Sequence, residues 1–175
     1  MLNLEWNDPV KSQEIEDEKF LEASKLMGDT FVGKLDYYGK SWLPAREVVV
    51  KAMDNRFEHD AKGRILVFEI AIPWKDHLFT LEEELGIKEE DQKTLYVLYG
   101  EGHGKPGWRI QCVPVSKESF ESRKPLPEAW RGTRDGDLSE ISGISGGVFV
   151  HASGFIGGNK SFGGVLEMAK KSLES

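Results

Sequence analysis

The sequence is poor in the features that mark several large classes of protein. Its 175 residues include a single cysteine, Cys112. That excludes a disulfide within the chain and leaves no thiolate set for a zinc cluster. No run of about 18 apolar residues occurs, so no membrane-spanning helix is expected. The start, Met1-Leu2-Asn3-Leu4-Glu5-Trp6, has neither the basic opening nor the apolar stretch of a secretory signal. The expectation is a soluble intracellular protein with no membrane partner. A basic stripe is missing too. The net charge is −7, and residues 1–100 hold 21 acidic against 13 basic side chains. A protein that coats duplex nucleic acid would carry the opposite balance. A local pocket for one or a few phosphates remains compatible with this charge.

What is present is the material of a core. Hydrophobic residues make up 39% of the chain and aromatic residues 10%. At this length one domain, or one domain plus an appendage, is expected. Asp8-Pro9 reads as a helix start. Phe20, Met27, Phe31, Leu35 and Tyr38 then recur at helical spacing, which predicts a long helix to about residue 39. The pattern breaks over 39–42, and Pro44 opens a second helix to about 55. The division is accordingly 1–42, a helical connector, and 43–175, an α/β domain. A strand is predicted over 65–72, a helix over about 74–85, and an antiparallel hairpin from 95–99 and 108–115 across a glycine-rich loop. Residues 119–136 read as a long irregular loop. Glu82-Glu83-Glu84 reads as a solvated face. Leu138–Ile144 reads as a helical turn, Val148–Val150 as a strand, and a last helix starts near 161. The sum is a mixed sheet of about four to five strands with flanking helices, preceded by a long N-terminal helix.

The candidate chemistry lies in the final third. Val148 to Ser161 reads as a strand, then a glycine turn over 154–158, then a helix. Such an arrangement can hold an anion, because a helix start offers free N–H groups and a partial positive charge. The motif is neither a Walker loop nor a dinucleotide fingerprint, since the required spacings are absent. Arg123, Lys124, Arg131 and Arg134 fall within 12 residues, beside Trp130. They suit phosphate forks and a stacked base, or else they pair with Glu121, Glu128 and Asp135. His151 on its strand is either a buried structural ring or a directional contact to phosphate. Ser153, His151 and Asp135 could be written as a triad, but the nucleophile-elbow pattern is missing.

Six motifs in order carry a resemblance. They are Trp42-Leu43-Pro44-Ala45-Arg46, Pro73-Trp74-Lys75-Asp76-His77-Leu78-Phe79, Trp108-Arg109-Ile110-Gln111-Cys112-Val113-Pro114, Ser119-Phe120-Glu121-Ser122-Arg123, Leu126-Pro127-Glu128-Ala129-Trp130-Arg131-Gly132 and Phe149-Val150-His151-Ala152-Ser153-Gly154-Phe155-Ile156-Gly157-Gly158. Together they resemble the C-terminal half of the melanocyte-proliferating-gene exonuclease family, relatives of the DHH phosphoesterases. The resemblance implies a DHH-associated domain that clamps a nucleotide or RNA 3′ end for a metal-dependent 3′–5′ exonuclease. It also implies a catalytic DHH-type domain, upstream or in trans, which holds the divalent metal, manganese by resemblance. This chain has no Asp-His-His triplet, so no catalytic or metal-ligating residue is assigned to it. The substrate contacts it implies are Gly157, Gly158 and Asn159; His151, Ser153, Gly154, Arg123, Arg131 and Arg134 join them as candidates from the residue pattern. Asn159 stands where the family's glycine-glycine-histidine motif would have histidine, and it cannot serve as an acid. The family implies a nuclear and mitochondrial setting. The alternative is a non-catalytic module that docks a separate DHH-type partner.

Overall fold

A computed structural model describes residues 13–89, 92–102, 104 and 106–175. The helix start expected at Asp8-Pro9 lies outside the described residues, as do His103 and Lys105 of the glycine-rich loop. The chain divides into two units, residues 1–44 and 45–175. In the first, α1 runs from Gln13 to Tyr37 and none of its residues is buried. The break anticipated at 39–42 is a π-helical turn, Tyr38–Trp42, and α2 follows as Leu43–Asp54.

The second unit is α/β. Its five strands are β1 (Ile65–Phe68), β2 (Tyr96–Gly100), β3 (Trp108–Cys112), β4 (Gly147–Val150) and β5 (Ile156–Asn159). They lie in the order β1-β2-β3-β5-β4. The first pair is parallel and the rest are antiparallel, so the sheet is mixed. The helices besides α2 are α3 (Lys75–Glu84), α4 (Asp135–Ser142) and α5 (Phe162–Glu174). Gly86, at φ +66°, follows the end of α3 in the left-handed conformation that glycine adopts at little cost.

Because side chains alternate along each strand, the sheet sorts its residues onto two faces. One face meets α4 and α5. There Ile65, Tyr96, Leu98, Ile110, Cys112 and Val150 bury with Leu138 of α4 and Val165, Met168 and Ala169 of α5. On the other face Leu66, Phe68, Val97 and Val113 bury with Val49 and Met53 of α2 and Leu78 and Leu81 of α3. That second cluster takes in none of Arg109, Gln111, Phe149, Ile156 or Gly158. The second face of β3, β5 and β4 is therefore left with half-buried polar and aromatic residues, and this sets up the candidate site.

The glycine turn expected over 154–158 is not the one the chain makes. The turn lies over 151–154, closed by the Gly154 N–H donating to the His151 carbonyl at 2.8 Å. Gly154 itself has φ +72°. Residues 156–159 form the inner strand β5, flanked on both sides by hydrogen-bonded partners. The two glycines of β5 are tolerated because their missing side chains make room for neighbours. A Cβ on Gly157 would lie 3.1 Å from Leu126 Cδ1 on the core face. The acidic run at the end of α3 also departs from expectation. Glu82 is buried, and its carboxylate receives Arg123 at 2.7 Å. Glu84 pairs with Arg46 at 2.7 Å, which supplies the partner that a cation in the first turn of α2 needs.

Candidate functional site

The open part of the second face is built in rows across the strands. Antiparallel register puts Tyr99, Arg109, Gly158 and Phe149 directly opposite one another, on β2, β3, β5 and β4 in turn. Val97, Gln111 and Ile156 form the next row. It is continued at the end of β4 by His151, whose N–H donates to the Ile156 carbonyl at 2.9 Å.

Arg109 is the centre of the first row. Gly158 has no side chain, so the guanidinium lies over its backbone, and any Cβ there would collide with Arg109 Nη1. Crossing that gap brings Arg109 Cζ to 5.1 Å from the centre of the Phe149 ring. Arg109 also pairs with Glu101. Arg134 approaches the same ring, at 5.9 Å. Arg134 bridges to Phe149 on the side away from Gly158, so the ring has a cation approaching from each neighbouring segment, each attracted by its electron-rich face. Only Arg109 has a carboxylate partner recorded among the described residues. Burial raises the Tyr99 hydroxyl above its ordinary pKa, with Glu101 pushing the same way and Arg109 opposing. Tyr99 therefore stays a neutral donor, and its hydroxyl donates to Gln111 Oε1 at 3.3 Å.

His151 is exposed and is fixed by its own turn. The Ser153 N–H donates to His151 Nδ1 at 3.2 Å, and the Ser153 hydroxyl lies 2.9 Å from the same nitrogen. With Nδ1 accepting, the neutral ring carries its hydrogen on Nε2. A hydrolytic triad needs serine on one ring nitrogen and a carboxylate on the other. Here serine occupies Nδ1, the nitrogen a carboxylate would use, and no hydrogen bond between His151 and Asp135 is recorded among the described residues. Cys112 is no nucleophile either. Burial pushes its thiol up to about 12, and it donates to the Gly154 carbonyl at 3.3 Å.

The remaining candidates from the sequence separate into several places. Arg131 donates from Nε to the Leu126 carbonyl at 3.0 Å and lies against Gly154, where a Cβ would come within 2.7 Å of it. Arg131 thus braces the turn that carries His151 and Ser153. Arg123 lies elsewhere. Both its Nη atoms bond the Glu82 carboxylate at 2.8 and 2.7 Å, and Nη1 also donates to the Thr94 carbonyl at 2.9 Å. Lys124 caps the carbonyls of Leu173 and Ser175. Trp130, expected to offer a stacking face, is buried in the first core cluster.

Asn159 is wholly buried on the core face. Its Nδ2 donates to the Ser145 carbonyl at 3.0 Å, and its Oδ1 accepts the Ser161 N–H at 3.0 Å. Ser161 caps α5 by accepting the Gly164 N–H at 3.1 Å. The helix start read as an anion site therefore has these donors engaged within the chain. Gly157 and Gly158 lie in the ladder of β5. The sequence reading missed Arg109 and Phe149 as a pair. A charged residue between apolar ones on a strand reads as solvent-facing, and only the cross-strand register shows what it touches.

Among the described residues no group of three or more His, Cys, Asp and Glu converges on a point that could hold a metal ion. No helix among the described residues is long and apolar enough to cross a membrane.

The MYG1_exonuc family model, described as an uncharacterised protein family (UPF0160), matches residues 1–173. The chain belongs to the MYG1 exonuclease family. It is 49% identical over 172 residues to the MYG1 protein of Dictyostelium discoideum, covering 98% of this chain and 50% of that protein. The MYG1 protein C27H6.8 of Caenorhabditis elegans is 47% identical, over 98% of this chain and 49% of its own length. The MYG1 exonuclease of Homo sapiens is 45% identical, over 98% of this chain and 44% of its own. The chain therefore spans about half the length of these MYG1 relatives. No solved structure matches. Membership makes this a protein of a nuclease family, and it confirms the resemblance carried by the six sequence motifs.

Proposed function

We propose that this chain is the substrate-binding half of a DHH-type 3′–5′ RNA exonuclease, and that the open face of β3, β5 and β4 holds the RNA 3′ end or a nucleotide. The observation that carries this reading is the pair of guanidiniums at one aromatic ring, Arg109 and Arg134 over Phe149. Each guanidinium can offer charge-assisted hydrogen bonds to a phosphate resting on this face. His151, fixed with its Nε2 hydrogen outward, adds a directional donor on the same face, and Ser153 holds that ring. Arg131 and Gly154 act by shaping the turn. Gly158 acts by letting Arg109 lie flat.

Hydrolysis in this reading belongs to the half of the family that this chain does not span. The divalent metal, manganese by family resemblance, belongs there too in this reading. The test is anisotropy of a labelled RNA pentamer with a free 3′ end. Arg109→Gln and Arg134→Gln should each weaken binding by about tenfold, while Arg123→Met should leave binding by the folded fraction unchanged. RNA binding indifferent to both of the first two changes overturns the reading. So does release of nucleotides from RNA by this chain with manganese, if Arg131→Ala abolishes it.

A second reading has its own observation. α1 exposes Phe20, Leu21, Met27, Phe31, Val32 and Leu35. A non-catalytic module that docks a separate DHH-type partner would use such a helix, and co-purification of that partner, lost on Phe31→Asp, would favour it.

A further inference from the structure

Beside the His151 turn is a pocket of about 390 Å³. Trp74, buried at 5% exposure, and Cys112, at 3%, are among its lining residues. Phe120 and Phe155 also line it, and Gln111 and Lys75, with Ser119, Ser122 and Ser153, supply its polar edge. The volume is in the range of sites that take small organic ligands. Apolar surface predominates, and the cysteine in the lining is a neutral thiol engaged by the Gly154 carbonyl. The lining thus suits a flat, uncharged ring system.

Phe120 makes the case specific. It is completely exposed, at 101% of its reference area. The segment that carries it is nonetheless tightly closed. Pro114 bridges to Ser122, the Val115 N–H donates to the Glu121 carbonyl at 2.9 Å, and Ser119 Oγ accepts the Glu121 N–H at 2.9 Å. A large apolar ring held out into water on a braced loop gains nothing from the core. It gains if a second flat group stacks on it.

Gln111 supplies direction. Its Oε1 accepts from the Tyr99 hydroxyl, which leaves the Nε2 hydrogens to donate. Gln111 also belongs to the row next to Arg109, so the pocket adjoins the face proposed for phosphate.

We infer that this pocket binds the nucleobase of the terminal nucleotide, stacked against Phe120 with Gln111 donating to an acceptor on the base edge. The inference rests on the proposed nucleotide-binding role of the neighbouring face and adds what that role leaves open, namely where the base goes. Stacking selects for a flat aromatic base and tolerates its identity, so recognition of all four bases is expected. One donor pair from Gln111 can meet a ring nitrogen or a carbonyl of any of them.

The experiment is calorimetric titration of the chain with three probes: AMP, ribose 5-phosphate and adenosine. AMP should bind about tenfold more tightly than ribose 5-phosphate. Phe120→Ala should remove that advantage and leave ribose 5-phosphate affinity unchanged, while Phe120→Tyr should keep it. Because Phe120 is fully exposed, its loss does not threaten folding. Gln111→Leu should weaken AMP and leave ribose 5-phosphate alone. Equal affinity for AMP and ribose 5-phosphate, unmoved by Phe120→Ala, overturns the base pocket while the phosphate reading stands. Adenosine binding as tightly as AMP, and lost in Phe120→Ala, upholds the pocket and overturns the phosphate reading. Binding of none of the three probes overturns both.

Discussion

Arg109 and Gly158 face each other across the β3–β5 ladder, and the guanidinium of the first occupies the space that a side chain on the second would need. The severe clash falls on the far end of a flexible side chain, with the Trp108 carbonyl at 3.2 Å a milder one, so Gly158→Ala should lower stability by about 1 kcal/mol. It should instead swing Arg109 off the Phe149 ring and weaken RNA binding about as much as Arg109→Gln does. Thermal unfolding and RNA anisotropy on the same sample separate the two effects. A large fall in melting temperature with unchanged affinity would contradict this account.

Gly164 should behave in the opposite way. A Cβ on it would run into the side-chain amide of buried Asn159. Asn159 cannot give way without breaking its bonds to Ser145 and Ser161. Gly164→Ala and Asn159→Ala should each cost about 2–3 kcal/mol. Neither position lies on the open face, so RNA affinity of the folded fraction should hold. Urea unfolding measures the first quantity and anisotropy the second.

The Arg123–Glu82 pair should prove to be a stabilising element. Both side chains are under 10% exposed, at 9% and 6%. Removing one partner leaves a buried charge, so Arg123→Met should cost about 3–5 kcal/mol. Combining it with Glu82→Gln should recover part of that loss. If the double variant is less stable than the sum of the single ones, the ion pair is not what holds this corner.

Asp60 gives a pH dependence with a definite sign. Hydrogen bonds from the Arg64 side chain hold its carboxyl below the ordinary aspartate pKa, helped by the Arg64 and Lys62 N–H groups and opposed by burial. A carboxyl depressed in the folded state contributes stability that is fully present above its unfolded pKa. The contribution is lost as pH falls through the folded value. Asp60→Asn should therefore melt at a lower temperature than the parent at pH 7. The gap should close as pH falls below about 4. A gap that stayed constant down to pH 2 would show that the charge on Asp60 is immaterial.

The legible and illegible parts of this sequence divide on physical grounds. Helix α5 was legible because Val165 and Ala169 lie four residues apart on its buried face. The β2–β3 hairpin was legible because two apolar runs flank a glycine loop. Strand β5 was not, because Ile156-Gly157-Gly158-Asn159 has the composition of a turn. Its strand character comes from two neighbouring ladders and not from its own propensity. Glu82 was hidden inside a run of three glutamates, since no local pattern tells which one meets an arginine 41 residues on. The same limit applies to the site. His151 and Ser153 could be picked out from one stretch of chain, whereas the meeting of Arg109, Arg134 and Phe149 depends on three separated segments. The family itself was legible because its motifs run in order along nearly the whole chain.

At Gly157 and Gly158 the sheet is a wall one backbone thick. Leu126 packs against it from the core side and Arg109 lies on it from the open side, with no side chain of β5 between either group and the peptide planes. A ligand resting on Arg109 would sit little more than one peptide unit from the first core cluster. Occupancy of the outside is then felt inside. The methyl resonances of Leu126, wholly buried, become a reporter for whatever binds on the opposite surface.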